Sequence, residues 1–232
     1  GLRDLHDSLS GDRTTLKEMH APYLSEIAER MKVWKAEAEP RYASGEIPIH
    51  MARLVRELQQ TMPESSILVV DGGFAAHWTG LLYDSTRAGR SYIANRGFAS
   101  IGYGLPGSIG AQLAAPDSPV VGITGDAGFN MVLGELETAR RLGLGFTLAI
   151  VNNAASGYVK ALQHNLYGGR YQSSDLSESN YANIAKEMGC HGIRVTDPEN
   201  LGKAFADGIA NTDLPTIVDI VVTRDPSKML PG

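Results

Sequence analysis

Five apolar, β-rich runs, each separated from the next by a helical pattern, limit this chain more than any other feature. The runs lie at residues 67–70, 120–124, 146–151, 191–195 and 216–222, and the helical patterns at 51–61, 105–114, 132–142, 181–188 and 199–210. A strand apolar on both sides must be covered on both sides, and strands joined through helices run parallel. The expected fold is therefore α/β, a doubly wound parallel sheet with helices on both faces. Ligands of such sheets bind beyond the carboxyl ends of the strands, where the loops gather.

Ahead of the first run, residues 1–40 are charged and read as mostly helix, clearest after Pro22, where Leu24, Ile27, Met31 and Trp34 share a face. Pro40 and Ala43-Ser44-Gly45-Glu46-Ile47-Pro48 punctuate a linker, which divides the chain into residues 1–47 and 48–232. With 21 Lys+Arg against 26 Asp+Glu the net charge is −5, so nucleic acid and anionic membranes are not expected partners. No run approaches the ~18 apolar residues of a membrane span. The single cysteine, Cys190, has no internal disulfide partner; it reads as buried core, and a reducing cytoplasm is the expected compartment.

Two strand ends carry unusual loops. The run at 120–124 leads into Gly125-Asp126-Ala127-Gly128-Phe129-Asn130, ahead of a helix expected to begin near Met131. The run at 146–151 leads into Asn152-Asn153-Ala154-Ala155-Ser156-Gly157. In a parallel sheet both loops emerge at one edge, so Asp126 and Asn153 meet if the two strands are neighbours. A carboxylate, an amide oxygen and a turn carbonyl form a hard oxygen set suited to Mg²⁺, which shares its sphere with phosphate and water. The small residues Ala127 and Gly128 let backbone N–H groups approach a phosphate at a helix N-terminus. The implied ligand is a diphosphate bridged by a metal. Taken singly, each loop has a plainer reading, Asp126 as a helix cap and Asn152-Asn153 as a turn.

Their spacing separates these readings. Between Gly125-Asp126-Ala127 and Asn152-Asn153 lie 24 residues, one helix and one strand. This resembles the signature of thiamine diphosphate enzymes, Gly-Asp-Gly followed at a mid-twenties gap by Asn-Asn, and Glu135-Leu136-Glu137-Thr138-Ala139 inside the gap is similar to the family's helix. The resemblance runs from about Pro48 to the C-terminus and is nearest the acetohydroxyacid synthase and pyruvate oxidase group. It implies that Asp126, Asn153 and the carbonyl of Ala155 hold Mg²⁺, with Gly125, Ala127, Gly128, Ser156 and Gly157 around thiamine diphosphate. Ala127 departs from the motif's second Gly, a change tolerated unless the position needs a positive φ.

In the same family a segment similar to Ala99-Ser100-Ile101-Gly102-Tyr103-Gly104-Leu105-Pro106 cradles the pyrimidine. The resemblance makes Ile101 the apolar wedge that bends the cofactor into a V, and Ala99 the carbonyl that accepts from its 4′-amino group; plain core packing is the other reading of Ile101. Asp71-Gly72-Gly73-Phe74-Ala75-Ala76-His77-Trp78 resembles a diphosphate-contacting stretch of the synthases, but Phe74 and Ala75 replace its Gln and His. Only backbone contacts from Gly73, Phe74 and Ala75 carry over. His77 either points to the cofactor or caps a helix. Lys160, Gln163 and His164 fall where the family lines its substrate pocket, or else on a solvated helix face, and Leu162 stands where the synthases have Trp. Residues 102–107 also spell a G-x-G-x-x-G dinucleotide fingerprint, but residues 95–100 are not an apolar strand feeding it.

The resemblance implies a lyase or transferase that decarboxylates a 2-oxo acid and passes the acyl-anion equivalent to an acceptor, an acetolactate synthase-like carboligase. A simple decarboxylase and a non-catalytic assembly subunit are the alternatives. The family's activating glutamate belongs to a pyrimidine-binding domain with no counterpart before Pro48, where residues 1–47 resemble the tail of a middle domain. The chain alone is thus expected to be inactive, as the C-terminal portion of a protein more than twice as long or as one chain of a split enzyme. A homodimer, homotetramer or hetero-oligomer is expected, and flavin (FAD) in the middle domain is left open.

Overall fold

In the computed structural model, which describes residues 1–230, the chain separates into two compact units divided between Ala43 and Ser44. The charged N-terminal sequence forms α1 (Leu2–Leu9), a single 3₁₀ turn and α2 (Arg13–Tyr42). The expectation that Pro40 ends the helical region is corrected: α2 runs through both Pro22 and Pro40 and stops only at Tyr42. Each proline forfeits one i→i−4 bond, and the ladder resumes beyond it, with the Ala43 N–H donating to the Glu39 carbonyl at 2.9 Å.

The second unit follows the βα alternation. Its elements are α3 (Met51–Thr61), β1 (Ile67–Val70), α4 (Phe74–Leu82), β2 (Tyr92–Ala94), α5 (Gly104–Ala114), β3 (Val120–Gly125), α6 (Asp126–Val132), α7 (Leu136–Arg141), β4 (Thr147–Asn152), α8 (Gly157–Leu166), α9 (Tyr181–Glu187), β5 (His191–Val195), α10 (Leu201–Ala210) and β6 (Thr216–Val221). The sheet is parallel throughout, in the order β2-β1-β3-β4-β6-β5. This is the doubly wound α/β fold expected from the apolar runs. Pro231 and Gly232, the end of the expected second domain, lie outside the described residues.

Three differences have local causes. Strand β2 is three half-buried residues at the sheet edge, too short to register as an apolar run. The helix expected at 132–142 is broken into a 3₁₀ turn and α7, with Gly134 at the break. The helix expected near Met131 begins instead at Asp126, because β3 turns directly into α6 with no intervening loop.

One face of the sheet buries Ile67, Val69, Val120, Leu148, Ile150 and Ile217 against Leu105 and Ile109 of α5, Phe129 of α6, Leu136 of α7 and Tyr181 of α9. Alternate strand residues, including Leu68, Ile123 and Val218, are equally buried on the other face, where α3, α4 and α10 pack. Helix α5 lies so close to β3 that a Cβ on Gly122 would come within 2.2 Å of Ser108 Oγ and 2.7 Å of Leu148 Cδ1. Buried Asp219 of β6 joins sheet to helix, accepting from Asn152 Nδ2 at 2.8 Å, the Tyr181 N–H at 3.0 Å and Arg194 Nη1 at 2.7 Å.

Gly122→Ala should therefore destabilise the domain by about 2 kcal/mol, the usual cost of overpacking a filled site. A shift of the urea midpoint measures it, and an unchanged midpoint would contradict the packing of α5 on β3.

Candidate functional site

Strand β1 ends in Asp71, a carboxylate 1% exposed and fully engaged. Its Oδ1 accepts from the N–H groups of Gly72 at 2.6 Å, Gly102 at 3.0 Å and Tyr103 at 3.1 Å, and its Oδ2 accepts from Thr124 Oγ1 at 2.5 Å. These bonds fasten the 101–103 turn to the ends of β1 and β3. Ile101 is thereby held with its side chain 47% exposed at a cleft. The fit around it is close: a Cβ on Gly72 would lie 3.0 Å from Ile101 Cδ1, and one on Gly128 3.2 Å from Ile101 Cγ2 and 2.9 Å from Asp71 Oδ2.

Strands β3 and β4 are adjacent, with Gly125 level with Val151, so their two loops share one edge. Asp126, the first residue of α6, is 1% exposed; its Oδ1 accepts from the Ala127 N–H at 2.8 Å, while Oδ2 is buried without a partner. Burial pushes its carboxyl up to about 6, against the downward pull of the Ala127, Ala154, Ala155 and Asn153 backbone N–H groups. The two asparagines have different surroundings. Asn152 donates to the Ser179 carbonyl at 2.9 Å and to Asp219. Asn153 is 2% exposed and its Oδ1 is buried without a partner. A Cβ on Gly157 would come 2.6 Å from Asn153 Nδ2, so the small residue there gives the amide its place.

These pieces enclose a cleft of about 340 Å³ beyond the ends of β1, β3 and β4. The first residues of α4, α6 and α8 all line it, and none of the three helices has a side-chain N-cap. The positive ends of three helix dipoles thus meet at one space. Asp126 is its buried carboxylate with a free oxygen. Among the described residues there is no group of three or more His, Cys, Asp or Glu able to hold a metal by themselves. Nor is any helix among them long and apolar enough to cross a membrane.

Residues 71–220 match the family described as thiamine pyrophosphate enzyme, C-terminal TPP binding domain. The chain belongs to that family. It is 30% identical, over its whole length and 38% of the relative, to YdaP of Bacillus subtilis, described as a thiamine pyrophosphate-containing protein. It is 37% identical over 62% of its length to the mitochondrial acetolactate synthase catalytic subunit of Aspergillus candidus, covering 21% of that protein. To the acetolactate synthase large subunit of Parasynechococcus marenigrum it is 30% identical over 90% of its length, covering 34% of that protein. The chain thus spans well under half the length of the curated relatives it matches.

In this thiamine pyrophosphate-binding domain, most residues singled out from sequence line one cleft: Gly73, Phe74, Ile101, Gly125, Asp126, Ala127, Gly128, Asn153, Ala155, Ser156 and Gly157. Ala75 does not; it is fully buried, with its carbonyl accepting from Thr79 Oγ1 at 2.8 Å. Ala99 does not line the cleft either; its carbonyl is 3.0 Å from where a Cβ on Gly72, which does line it, would be. Ala127 needs no positive φ, since it lies inside α6. His77 stacks on Tyr158 with ring centroids 4.5 Å apart, and burial, with Arg96 second, pulls its pKa down. Lys160, Gln163 and His164 do not line the cleft. The dinucleotide reading of residues 102–107 fails because no strand runs directly into them: β2 ends at Ala94 and α5 begins only at Gly104, where Gly104 and Gly107 let α5 approach Thr124 and Val69. Cys190 is buried, and burial raises its thiol. Sequence reasoning gave no role to Asp71, although it opens the 71–78 stretch at the end of an apolar strand, and missed Tyr158, a cleft residue with no motif of its own.

The raised carboxyl predicts a pH effect in the metal-free protein. A folded value near 6 against an ordinary 3.8 favours the protonated form, so stability is fully present below about pH 4 and is lost as pH rises through 6. Asp126→Asn removes that loss. Its melting temperature should exceed that of the unsubstituted protein at pH 8, by the equivalent of up to about 3 kcal/mol, and the difference should shrink towards pH 4. A pH-independent difference would sink this account.

Proposed function

We propose that this chain is the cofactor-binding part of a thiamine diphosphate- and Mg²⁺-dependent enzyme that decarboxylates a 2-oxo acid and transfers the acyl-anion equivalent to an acceptor, in the manner of an acetolactate synthase. One observation carries the reading. Asp126 Oδ2 and Asn153 Oδ1 are both buried without a partner, on adjacent strand ends facing one cleft. Orphaned buried oxygens are costly, and a hard divalent cation is the partner that suits two of them together. A single carboxylate suffices because diphosphate oxygens and water fill the remaining positions.

The chain's residues take the following parts. The side-chain oxygens of Asp126 and Asn153, with the carbonyl of Ala155, hold the metal. The first turns of α4, α6 and α8 receive the diphosphate, through the backbone of Gly73 and Phe74 on one side and of Gly128 and Gly157 on the other, with Gly125, Ala127 and Ser156 lining the approach. Ile101, raised into the cleft by the Asp71 hydrogen bonds, supports the bent cofactor, and the Ala99 carbonyl accepts from its 4′-amino group. When bound, thiamine diphosphate supplies the electron sink that lets CO₂ leave a 2-oxo acid. Met131, Val159 and Tyr158 add apolar and aromatic surface that excludes water from the same cleft.

The rest of the enzyme is part of the proposal. A pyrimidine-binding domain, from another part of the protein or from a second subunit, supplies the activating glutamate, and residues 1–47 are the helical tail of a middle domain. The working unit is a homodimer, homotetramer or hetero-oligomer, and the lone buried thiol suits a reducing compartment such as the cytoplasm. Leu162 in place of the synthases' Trp keeps simple 2-oxo acid decarboxylation as the second reading; with pyruvate, acetolactate as product supports the first and acetaldehyde the second.

In the complete assembly, Asp126→Ala and Asn153→Ala should each abolish Mg²⁺-dependent binding of thiamine diphosphate in calorimetry. Undiminished affinity would overturn the site. Ile101→Gly should leave cofactor binding largely intact and lower kcat about 100-fold, the cost of misplacing reacting groups by a fraction of a bond length to an ångström; an unchanged kcat would remove Ile101 from the mechanism.

A further inference from the structure

Lys160, Gln163 and His164 all reach the same segment, residues 170–175, and that segment grips the turn that carries Asn153 and Ala155. We infer that Lys160, with Gln163, is a positioning residue for this turn, acting through a strap at residues 170–176. The inference rests on the Mg²⁺ reading above and adds to it the groups that keep the binding turn in shape.

The turn needs an outside hold. Ala154, between Asn153 and Ala155, sits at φ 47°, a left-handed conformation unfavourable for a residue with a Cβ. Its carbonyl accepts from the Leu176 N–H at 2.8 Å, and the Ser156 N–H donates to the Ser174 carbonyl at 2.8 Å. Ala155 and Asp175 form an antiparallel bridge between these two bonds. Two backbone bonds to a neighbouring segment thus lock the residue that sets the direction of the turn.

The strap in turn is fastened by α8. Lys160, whose side chain is 14% exposed, pairs with Asp175 and lies over the Tyr171 ring, 5.2 Å from its centroid. Gln163 makes both of its amide bonds to the Gln172 backbone, donating to the carbonyl at 2.9 Å and accepting from the N–H at 3.1 Å. His164 Nδ1 is 2.8 Å from the Tyr171 hydroxyl. Because α8 starts at Gly157, directly after the turn, the helix, strap and turn form a closed loop of contacts. Loosening α8 from the strap releases the Asn153 and Ala155 oxygens from their fixed spacing, and groups that orient ligands from behind carry about 10- to 100-fold in metal affinity.

The test compares the complete assembly with its Lys160→Met, Asp175→Asn and Gln163→Leu variants. Amide hydrogen exchange is followed in the metal-free protein, and Mn²⁺ uptake in the presence of thiamine diphosphate by electron paramagnetic resonance. The expected result is exchange about tenfold or more faster at Ser156 and Leu176, with Ile123 and Ala149 in the central strands unchanged, and Mn²⁺ affinity weakened about tenfold or more. Lys160→Arg should restore both. Asp175→Asn, a near-isosteric change at an exposed side chain, keeps the test open should Lys160→Met fold poorly. Unchanged exchange, unchanged Mn²⁺ affinity, or failure of Lys160→Arg to restore them would each overturn the inference. If the unsubstituted assembly takes up no Mn²⁺, the metal reading itself has failed and this inference falls with it.

Discussion

The four hydrogen-bond donors that converge on Asp71 shape everything at the open edge of this sheet. A buried carboxylate is tolerated only when its lone pairs are filled, and here they are filled by donors from three places: its own turn, the 101–103 turn and the end of β3. The 101–103 turn contributes no strand to the sheet and has no ladder to hold it. Asp71 does that instead, and Gly102, at φ 93°, gives the backbone the reversal needed to aim two successive N–H groups at one oxygen. Ile101 projects into the cleft as the geometric consequence.

Asp126, one strand over, is the counterpart of Asp71 and differs from it in one respect. Both are 1% exposed and both lie where a β-strand ends. Asp71 is satisfied by the protein, whereas Asp126 keeps one oxygen without a partner, next to an asparagine with the same vacancy in its hydrogen bonding. Structural economy would have replaced either residue with an apolar side chain, as buried polar atoms without partners cost about 1–3 kcal/mol each. The pair instead lies among the first residues of three helices without side-chain N-caps, the setting in which we propose that a charged ligand binds.

The parallel sheet was legible because its central strands β1, β3, β4 and β6 are buried on both faces, which leaves apolar runs that no loop or amphipathic helix imitates. The neighbouring of β3 and β4, on which the pairing of Asp126 with Asn153 depends, is left open by the 24-residue gap and comes from the sheet order itself. What stayed hidden are interactions between residues far apart in sequence. Asp71 meets Gly102 and Thr124 across 31 and 53 positions, and no local pattern marks such a contact. Asn152 and Asn153 are indistinguishable as a dipeptide; only the position of Asp219, 67 residues on from Asn152, makes the first a brace and leaves the second free to face the cleft. Lys160, Gln163 and His164 have their partners in residues 171–175, a loop with no signature, so nothing local in the sequence distinguishes a pocket lining or a solvated face from the contacts they make.

Two alanines in left-handed conformations, Ala99 at φ 53° and Ala154 at φ 47°, stand on the two sides of the Ile101 and Asn153 loops. Each such residue costs on the order of 1 kcal/mol or more, so neither conformation persists without neighbours that select it. Beside Ala99, Asn95 donates its amide to the Ser100 carbonyl; beside Ala154, the strap at residues 174–176 supplies the bonds. Ala154 adjoins Asn153 and Ala155, which line the cleft, and Ala99 lies two residues before Ile101, which also lines it; the residues that supply the offsetting bonds, Asn95, Ser174 and Leu176, do not. The cleft therefore keeps its shape through contacts a ligand does not have to make, which removes the ordering cost from binding and leaves the orphaned oxygens of Asp126 and Asn153 fixed in advance.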